Sequence, residues 1–322
     1  MSPRVLIVIV NYRTADLTID ALASLVEEVG GSDHMRVVVT DNDSGDGSAV
    51  KIQQAIEKNG WSQWARCMPL PRNAGFCYGN NEALRPDLAS PSPSDYYLLL
   101  NPDTVVRPGA VTELLKFMEA NPTVGVAGSR LEDPDTTVQI SAFRFPSVLN
   151  EFDGALRLGV VSKLLRPFSL TPDARTEAHA TDWVAGASMM VRREVFEKVG
   201  LLDEGYFLYY DEVDFCIRVR RAGWSVWYVP QSRVVHLVGQ ATGISDLRKK
   251  AKRRPGYWFE SRRRYFLKHY HPLRVLAVDV AWMAGHAMWR LRRAIQGKPD
   301  LDPPQMFSDY LNHSVLRKGF RL

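Results

Sequence analysis

The chain has 322 residues, 45% of them apolar, enough to bury one large α/β core with an appendage or two modest domains. Its three cysteines, Cys67, Cys77 and Cys216, are odd in number and lack ligand spacing, which excludes a disulfide framework and a structural zinc and fits reduced thiols in a cytosolic chain. The net charge of +5 hides an asymmetry: residues 1–240 carry 23 Lys and Arg against 30 Asp and Glu, while residues 241–322 carry 18 against 6, so an acidic body bears a basic tail that suits an anionic partner.

Val5–Val10 is an unbroken apolar run, far too short for a signal peptide, and reads as a buried first strand. Thr14 then caps a helix reaching about Val29, with Leu17, Ala21, Leu22 and Leu25 on one face. The connection between them, Asn11-Tyr12-Arg13, has no glycine-rich turn. A dinucleotide fold needs G-x-G-x-x-G there so that backbone amides can touch a pyrophosphate, and its absence counts against a nicotinamide or flavin oxidoreductase; no Walker-type P-loop occurs either.

A second strand, Met35–Thr40, opens into Asp41-Asn-Asp-Ser-Gly-Asp-Gly-Ser48. The closing glutamate of an EF-hand is missing. A carboxylate at the end of this strand can instead accept the N3–H of uracil or thymine, which makes Asp41 a candidate for pyrimidine recognition. A polar turn capping the helix from Ser48 explains Asp46 and accounts for Asp43 as well, although Asp43 stays among the donor-side candidates by position. After a strand near Arg66–Leu70, the stretch Arg72-Asn-Ala-Gly-Phe-Cys-Tyr-Gly-Asn-Asn81 can bring backbone and side-chain amides to a sugar diphosphate through Asn73, Gly75 and Asn81, with Arg72 near its charge. An ordinary packed turn around Phe76 and Tyr78 is the plain alternative. Pro86–Ser94 reads as an exposed loop.

Tyr96–Leu100 is a short, wholly apolar strand suited to a parallel sheet covered on both faces. Pro102 ends its ladder, so Asn101 and Asp103 lie just beyond the carboxyl edge, where open α/β sheets bind ligands. Asp103 can hold a hard divalent cation, which in turn can hold a diphosphate; closing a turn is its simpler use. Pro108 and Gly109 start a helix with Val111, Leu114, Leu115 and Met118 inward, ended by Asn121-Pro122, and Val124–Gly128 is another strand. Residues 132–181 are irregular and read as a variable region over the site.

The segment 182–191 reads as one strand carrying Trp183 and the small residues Gly186 and Ala187, where an acceptor substrate can approach the backbone closely. A short helix follows, stopped by Gly200. The aromatic run Tyr206, Phe207, Tyr209 and Tyr210 then leads into Asp211-Glu-Val-Asp214 at the start of a helix. The helix dipole alone explains Asp214, kept as an acceptor-side candidate, but less well an adjacent Asp211-Glu212 pair beside aromatics, where a raised pKa suits a general base. Strand-like sequence on both sides of Pro230 ends at His236, a surface histidine or a second metal ligand beside Asp103.

In the tail, cations alternate with aromatics from Arg248 to Tyr270, and a helix over Val275–Arg293 places Asp279, His286, Arg290 and Arg293 on one stripe beside Trp282 and Trp289. Its uncharged stretches are too short to span a bilayer. An anionic membrane surface and a lid on the catalytic body are equally good uses of it, and no nucleic-acid partner is expected.

The ordered set VNYRTADL, TDNDSGDGS, RNAGFCYGNN, LLLNPDT, VAGASMMVRREVFEKVGLLDEGYF, YYDEVDFCIRVRRAGW and VVHLVGQATG resembles glycosyltransferase family 2, and within it the bacterial rhamnosyltransferase-like branch, over roughly residues 4–243. The resemblance implies a GT-A fold: a mostly parallel central sheet flanked by helices, with a nucleotide-binding half at 1–107, an acceptor-binding half at 108–243, and a basic helical extension at 244–322. It implies a divalent Mg2+ or Mn2+, a dTDP- or UDP-sugar donor held by Asn11, Arg13, Asp41, Asp43, Arg72, Asn73, Gly75, Asn81 and Asn101, and an inverting displacement onto a glycan or polyprenyl-linked saccharide. The family's D-x-D motif reads Asn101-Pro-Asp103 here, leaving one acid, so His236 gains weight as the second metal ligand. The family's Glu-Asp base pair reads Asp211-Glu212, with Glu212 taken as base and Asp211 as the alternative. The implied donor sugar is rhamnose from dTDP-rhamnose, and the implied setting is cell-envelope polysaccharide synthesis on the inner face of the cell membrane. A glycan-binding module without catalysis and a basic membrane-associated scaffold are the competing classes.

Overall fold

The structure is a computed structural model that describes residues 2–172, 175–237 and 252–322. It divides into two units, the first comprising residues 1–142, 174–207 and 211–245, the second residues 143–173, 208–210 and 246–322. Thus residues 143–173 and 208–210 group with the tail, and the sequence-based boundary at 243/244 lies outside the described residues.

The first unit is built on a nine-stranded mixed sheet. Its strands are β1 (Val5–Asn11), β2 (Met35–Asp41), β3 (Ala65–Pro69), β4 (Tyr96–Leu100), β5 (Thr104–Val106), β6 (Val124–Glu132), β7 (His179–Thr181), β8 (Ser188–Arg192) and β9 (Ser225–His236). They lie in the order β3-β2-β1-β4-β8-β6-β9-β5, and β7 pairs with β9. The first four are parallel, while β8 runs antiparallel between β4 and β6. Strand order reverses at β1, whose neighbours are β2 and β4, so a crevice opens beyond the carboxyl ends of these strands. Asn11 and Asp41 are register partners at that edge. Every residue of β1 and β4 is buried, which is why both strands are apolar up to Asn11, the polar residue that ends β1.

Helices Ala15–Ser24, Ser48–Lys58, Phe76–Leu88 and Ala110–Ala120 belong to this unit. The last buries Val111, Leu114, Leu115 and Met118, the face its periodicity predicts. Three local expectations change. The first helix breaks at Leu25 into Ala15–Ser24 and Val26–Val29, and Thr14 donates its hydroxyl to Asn11 Oδ1 at 3.0 Å instead of accepting from the helix. Asn80 and Asn81 fall inside helix Phe76–Leu88 rather than in the turn before it. The expected strand over 182–191 is two pieces, Trp183–Val184 and Ser188–Arg192, because the small residues between them form a turn. Pro230 is tolerated in β9 because it falls in a break of the β6–β9 register between Val229 and Arg233.

The second unit is helical: Val148–Leu156, Gly159–Leu164, Gly256–His269, Pro272–Ile295, Met306–His313 and Val315–Lys318. Ser147 and Asn150 form a capping box at the first of these. A methyl group at Gly285 would lie 2.7 Å from Phe152 O, so only glycine lets the long helix approach Val148–Leu156 this closely. Tyr310 stacks on Trp282 with centroids 3.7 Å apart, and buried Arg262 bonds Glu151 at 2.8 Å and Asp279 at 2.9 Å. The polar stripe read from sequence is partly internal, since Asp279 and His286 are buried with Trp282. Burial lowers the His286 pKa below its ordinary value. The basic residues 248–250 lie outside the described residues, whereas Arg253 pairs with Asp309 at 2.7 Å.

Candidate active site

Three polar groups meet at the carboxyl edge of the first unit's sheet. The first surrounds Asp41, which is 4% exposed. Its Oδ1 accepts from Asn11 Nδ2 and from Ser44 Oγ, both at 2.6 Å, and its Oδ2 accepts from Ser44 N at 3.2 Å. Thr18 holds Asn11 in turn, donating to its Oδ1 at 2.9 Å. Arg13 and Asp43 both adopt positive φ, 57° and 55°, where the β1 and β2 chains turn sharply off the sheet. Arg13 donates to Ser44 Oγ at 2.9 Å and to Ser44 O at 3.0 Å. Asp43 is exposed, and Asp46 accepts from Ser48, the turn role read for it from sequence. The carboxylate of Asp41 is thus fixed in direction, and its Oδ2, which accepts from Ser44 N, has lone-pair capacity for a further donor. Ser44, Thr18 and Asn42 were not singled out from sequence. Their only signal is being small and polar within a few residues of two strand ends.

Asn42 ties this group to the next. Its Nδ2 donates to Asn73 Oδ1 at 3.1 Å and to Gly75 O at 2.9 Å, while its buried Oδ1 has no hydrogen-bond partner. Gly75 has φ 96°, and a Cβ there would lie 2.3 Å from Phe207 O, the same oxygen that accepts from Phe76 N at 2.8 Å. Only glycine fits. Arg72 is exposed and lies over the Tyr78 ring at 5.3 Å. Asn81 points elsewhere: its Nδ2 donates to Leu202 O and Glu204 Oε1, and its Oδ1 accepts from Leu202 N. Both ends of its amide tie the 201–204 loop to the helix.

The second group is Asp103 with His236. β5 and β9 pair so that His236 stands opposite Thr104, and Leu237 N donates to Asp103 O at 2.9 Å. His236 Nε2 lies 3.5 Å from Asp103 Oδ1, and Asp103 is 3% exposed. Behind them Glu132 is wholly buried among Arg107, Arg130 and Arg233, bracing β6 and β9. Burial alone would raise Glu132, but hydrogen bonds from Arg233 and Arg107 outweigh it and hold its carboxyl below the ordinary value. Among the described residues no group of three or more His, Cys, Asp and Glu side chains is placed to hold a metal ion. Asp103 and His236 are the oxygen and nitrogen donors at this edge that could hold a divalent ion.

The third group is Asp211 and Glu212, at the start of helix Asp211–Arg221. Burial first, and then the Asp211 carboxylate beside it, push Glu212 well above the usual carboxylate range. Asp214 is fully buried and accepts from Arg218 Nε at 2.9 Å and from Tyr206 Oη at 3.1 Å. Arg218 also bonds Val199 O and Leu201 O, so Asp214 anchors the helix to the preceding loop.

The turn between Val184 and Ser188 joins the groups. Asn101 N donates to Ala187 O at 3.0 Å, and a methyl at Gly186 would lie 3.8 Å from Glu212 Cβ and 3.9 Å from the Phe76 ring. From Asp103 to Glu212 the route is two residues to Asn101, one hydrogen bond to Ala187 and one residue to Gly186. Both carboxylates therefore lie at one edge of the sheet. Trp183, half-buried, precedes this turn.

A sheet of this order with its polar groups at one carboxyl edge is the GT-A class of glycosyltransferase. The family model for glycosyl transferase family 2 matches residues 6–200, more than half of the chain, and the chain belongs to that family. It is 29% identical over 226 residues to an N-acetylglucosaminyl-diphospho-decaprenol L-rhamnosyltransferase of Mycobacterium tuberculosis, covering 64% of this chain and 68% of that one. It is 26% identical over 220 residues to rhamnosyltransferase WbbL of Escherichia coli, covering 67% and 78%. These relatives place it in the rhamnosyltransferase-like branch. Among solved structures it resembles a mannosyltransferase from Pyrobaculum calidifontis in complex with GDP-Man and Mn2+, with a TM-score of 0.55 at 17% identity over 99% of this chain and 84% of that one.

Proposed function

We propose that this glycosyltransferase moves L-rhamnose from dTDP-rhamnose to a hydroxyl of a lipid-linked saccharide, with inversion at the anomeric carbon. The observation that carries this reading is the placement of Glu212, a carboxylate whose pKa is raised by burial and by Asp211, against Gly186 on the rim that also carries Asp103. The named activities of the M. tuberculosis and E. coli relatives, and of a dTDP-rhamnosyl transferase from Shigella flexneri 25% identical over 240 residues, support the choice of sugar. The decaprenol-linked acceptor in the first of those names supports the acceptor class.

In this reading Asp41, held by Asn11 and Ser44, accepts the N3–H of the thymine ring, and the turns at Arg13, Asp43 and Asn73–Gly75 line the nucleoside and diphosphate. Asp103 and His236 would hold a divalent ion, which when bound would supply charge neutralisation to the departing diphosphate. Glu212 takes the proton of the acceptor hydroxyl while that oxygen forms a bond to the anomeric carbon and the bond from that carbon to the diphosphate oxygen breaks. The nucleoside diphosphate leaves on the opposite face. Gly186 and Ala187 keep the backbone clear for the acceptor, with Trp183 beside them. Asn81 and Asp214 are left out of the site because their polar atoms serve the fold. The test is metal-dependent release of nucleoside diphosphate across a panel of sugar nucleotides with a polyprenyl-diphosphate-linked acceptor. Release of dTDP above all others is the expected result; preference for a purine nucleotide sugar, or no transfer to any acceptor, overturns the reading.

A further inference from the structure

We propose that the outward face of helix Pro272–Ile295 is a docking surface for an anionic lipid bilayer. At 100° per residue this helix has two faces of opposite fate. One holds Val275, Val278, Asp279, Trp282, Gly285 and His286, all buried inside the second unit. The other holds Leu273, Ala277, Val280, Ala284, Ala287, Met288, Leu291, Ala294 and Ile295, and every one of them is exposed, Leu291 to 66% and Ile295 to 78%. Leu276 and Ala281 lie at its margins, so an arc of about 140° is without a single polar side chain along a helix about 36 Å long. Single exposed leucines are ordinary; a whole helix face of them is not.

The charges at the borders of this face select the occupant. Arg274 and Arg292 border it on one side and Arg290 on the other, with Lys298 close to its end. Residues 252–322 as a whole carry 15 Lys and Arg against 5 Asp and Glu. A second copy meeting this face across a two-fold axis would bring like charges together, whereas anionic headgroups would lie beside all of them. The same unit also exposes Val160 and Leu164, with Lys163 between them, on helix Gly159–Leu164. No described helix is long and apolar enough to cross a membrane, so the geometry is that of a helix lying in the interface plane. Of the stripe marked from sequence, Asp279 and His286 lie on the inward face and Arg290 at the border of the membrane face.

The test uses the full chain and flotation with vesicles of phosphatidylglycerol mixed into phosphatidylcholine, against phosphatidylcholine alone. The wild type should float with the anionic vesicles and bind the neutral ones about tenfold less well or worse. Val280→Glu combined with Leu291→Glu should weaken anionic-vesicle binding about tenfold or more, and Arg290→Glu should weaken it and flatten its salt dependence. These side chains are exposed, so melting temperature and turnover with a soluble acceptor should match the wild type, which keeps this test separate from the sugar-transfer reading. Failure of the wild type to bind anionic vesicles, equal binding by the double variant, equal binding to neutral vesicles, or a dimer that the double variant splits without loss of vesicle binding would each overturn the proposal.

Discussion

Replacing Gly75 by Ala probes the turn that joins the candidate donor side to the segment leading into Glu212. Its φ of 96° lies in a region that side-chain-bearing residues rarely enter, and occupying it costs about 1–3 kcal/mol. The added methyl would lie 2.3, 2.6 and 2.8 Å from O, Cα and C of Phe207, all backbone atoms that cannot swing aside as a side-chain tip would. Relieving that clash breaks the Phe76 N to Phe207 O bond and disturbs the Asn42 bond to Gly75 O, about 1 kcal/mol each. The sum is about 3–5 kcal/mol, a large fraction of the roughly 5–15 kcal/mol that stabilises a typical domain. At roughly 2–4 °C per kcal/mol the melting temperature should fall by about 10 °C. Gly45→Ala is the control: it also has positive φ, 67°, but a methyl group added there would meet nothing within 4 Å, so it should cost only about 1 kcal/mol. Thermal melts followed by circular dichroism compare the two. Equal melting temperatures for the two variants would refute the close approach of Phe207 as the reason for glycine.

Asp211→Asn removes the negative charge beside Glu212, so the acidic limb of the pH–rate profile should move to lower pH; an unmoved limb would mean that Asp211 does not set the Glu212 pKa. Because the folded-state pKa of Glu212 is raised, its native environment favours the protonated form, and stability from it is lost as pH rises through that value. Glu212→Gln should therefore melt higher than the wild type at alkaline pH and alike at pH below the ordinary carboxylate range, read by melts across pH. Asp214→Asn breaks a buried ion pair with Arg218 and should cost roughly 3 kcal/mol in denaturant unfolding, while the KM for the acceptor stays at the wild-type value. A raised acceptor KM in a folded Asp214→Asn protein would return Asp214 to the acceptor site.

Much of this architecture is written in local pattern. The all-apolar runs of β1 and β4 announce strands buried on both faces, and Pro102 marks where β4 must stop, which puts Asp103 at the edge. Asp41 follows the same logic at the end of β2. What pattern does not carry is the use of a polar side chain by a distant partner. Asn81 looks like one more amide in an asparagine-rich turn until Leu202, 121 residues away, takes both ends of it. Asp214 reads as a helix-dipole acid and is an ion pair. Direction is hidden as well, since Met189–Val191 would be equally apolar in a parallel or an antiparallel strand, and only its insertion between β4 and β6 decides. The tail helix is apolar on both sides, so periodicity finds the helix but not its inner face; Arg262 and Tyr310, which bond Asp279, choose it.

Sugar transfer as proposed depends most on Glu212 acting as the base across from Asp103, and one comparison tests that directly: donor affinity by calorimetry and single-turnover transfer, wild type against Glu212→Gln. The expected result is unchanged donor affinity with transfer slowed about 10²-fold to 10⁴-fold, the range for loss of a general base. Transfer by the Gln variant at the wild-type rate, with donor affinity intact, would contradict it.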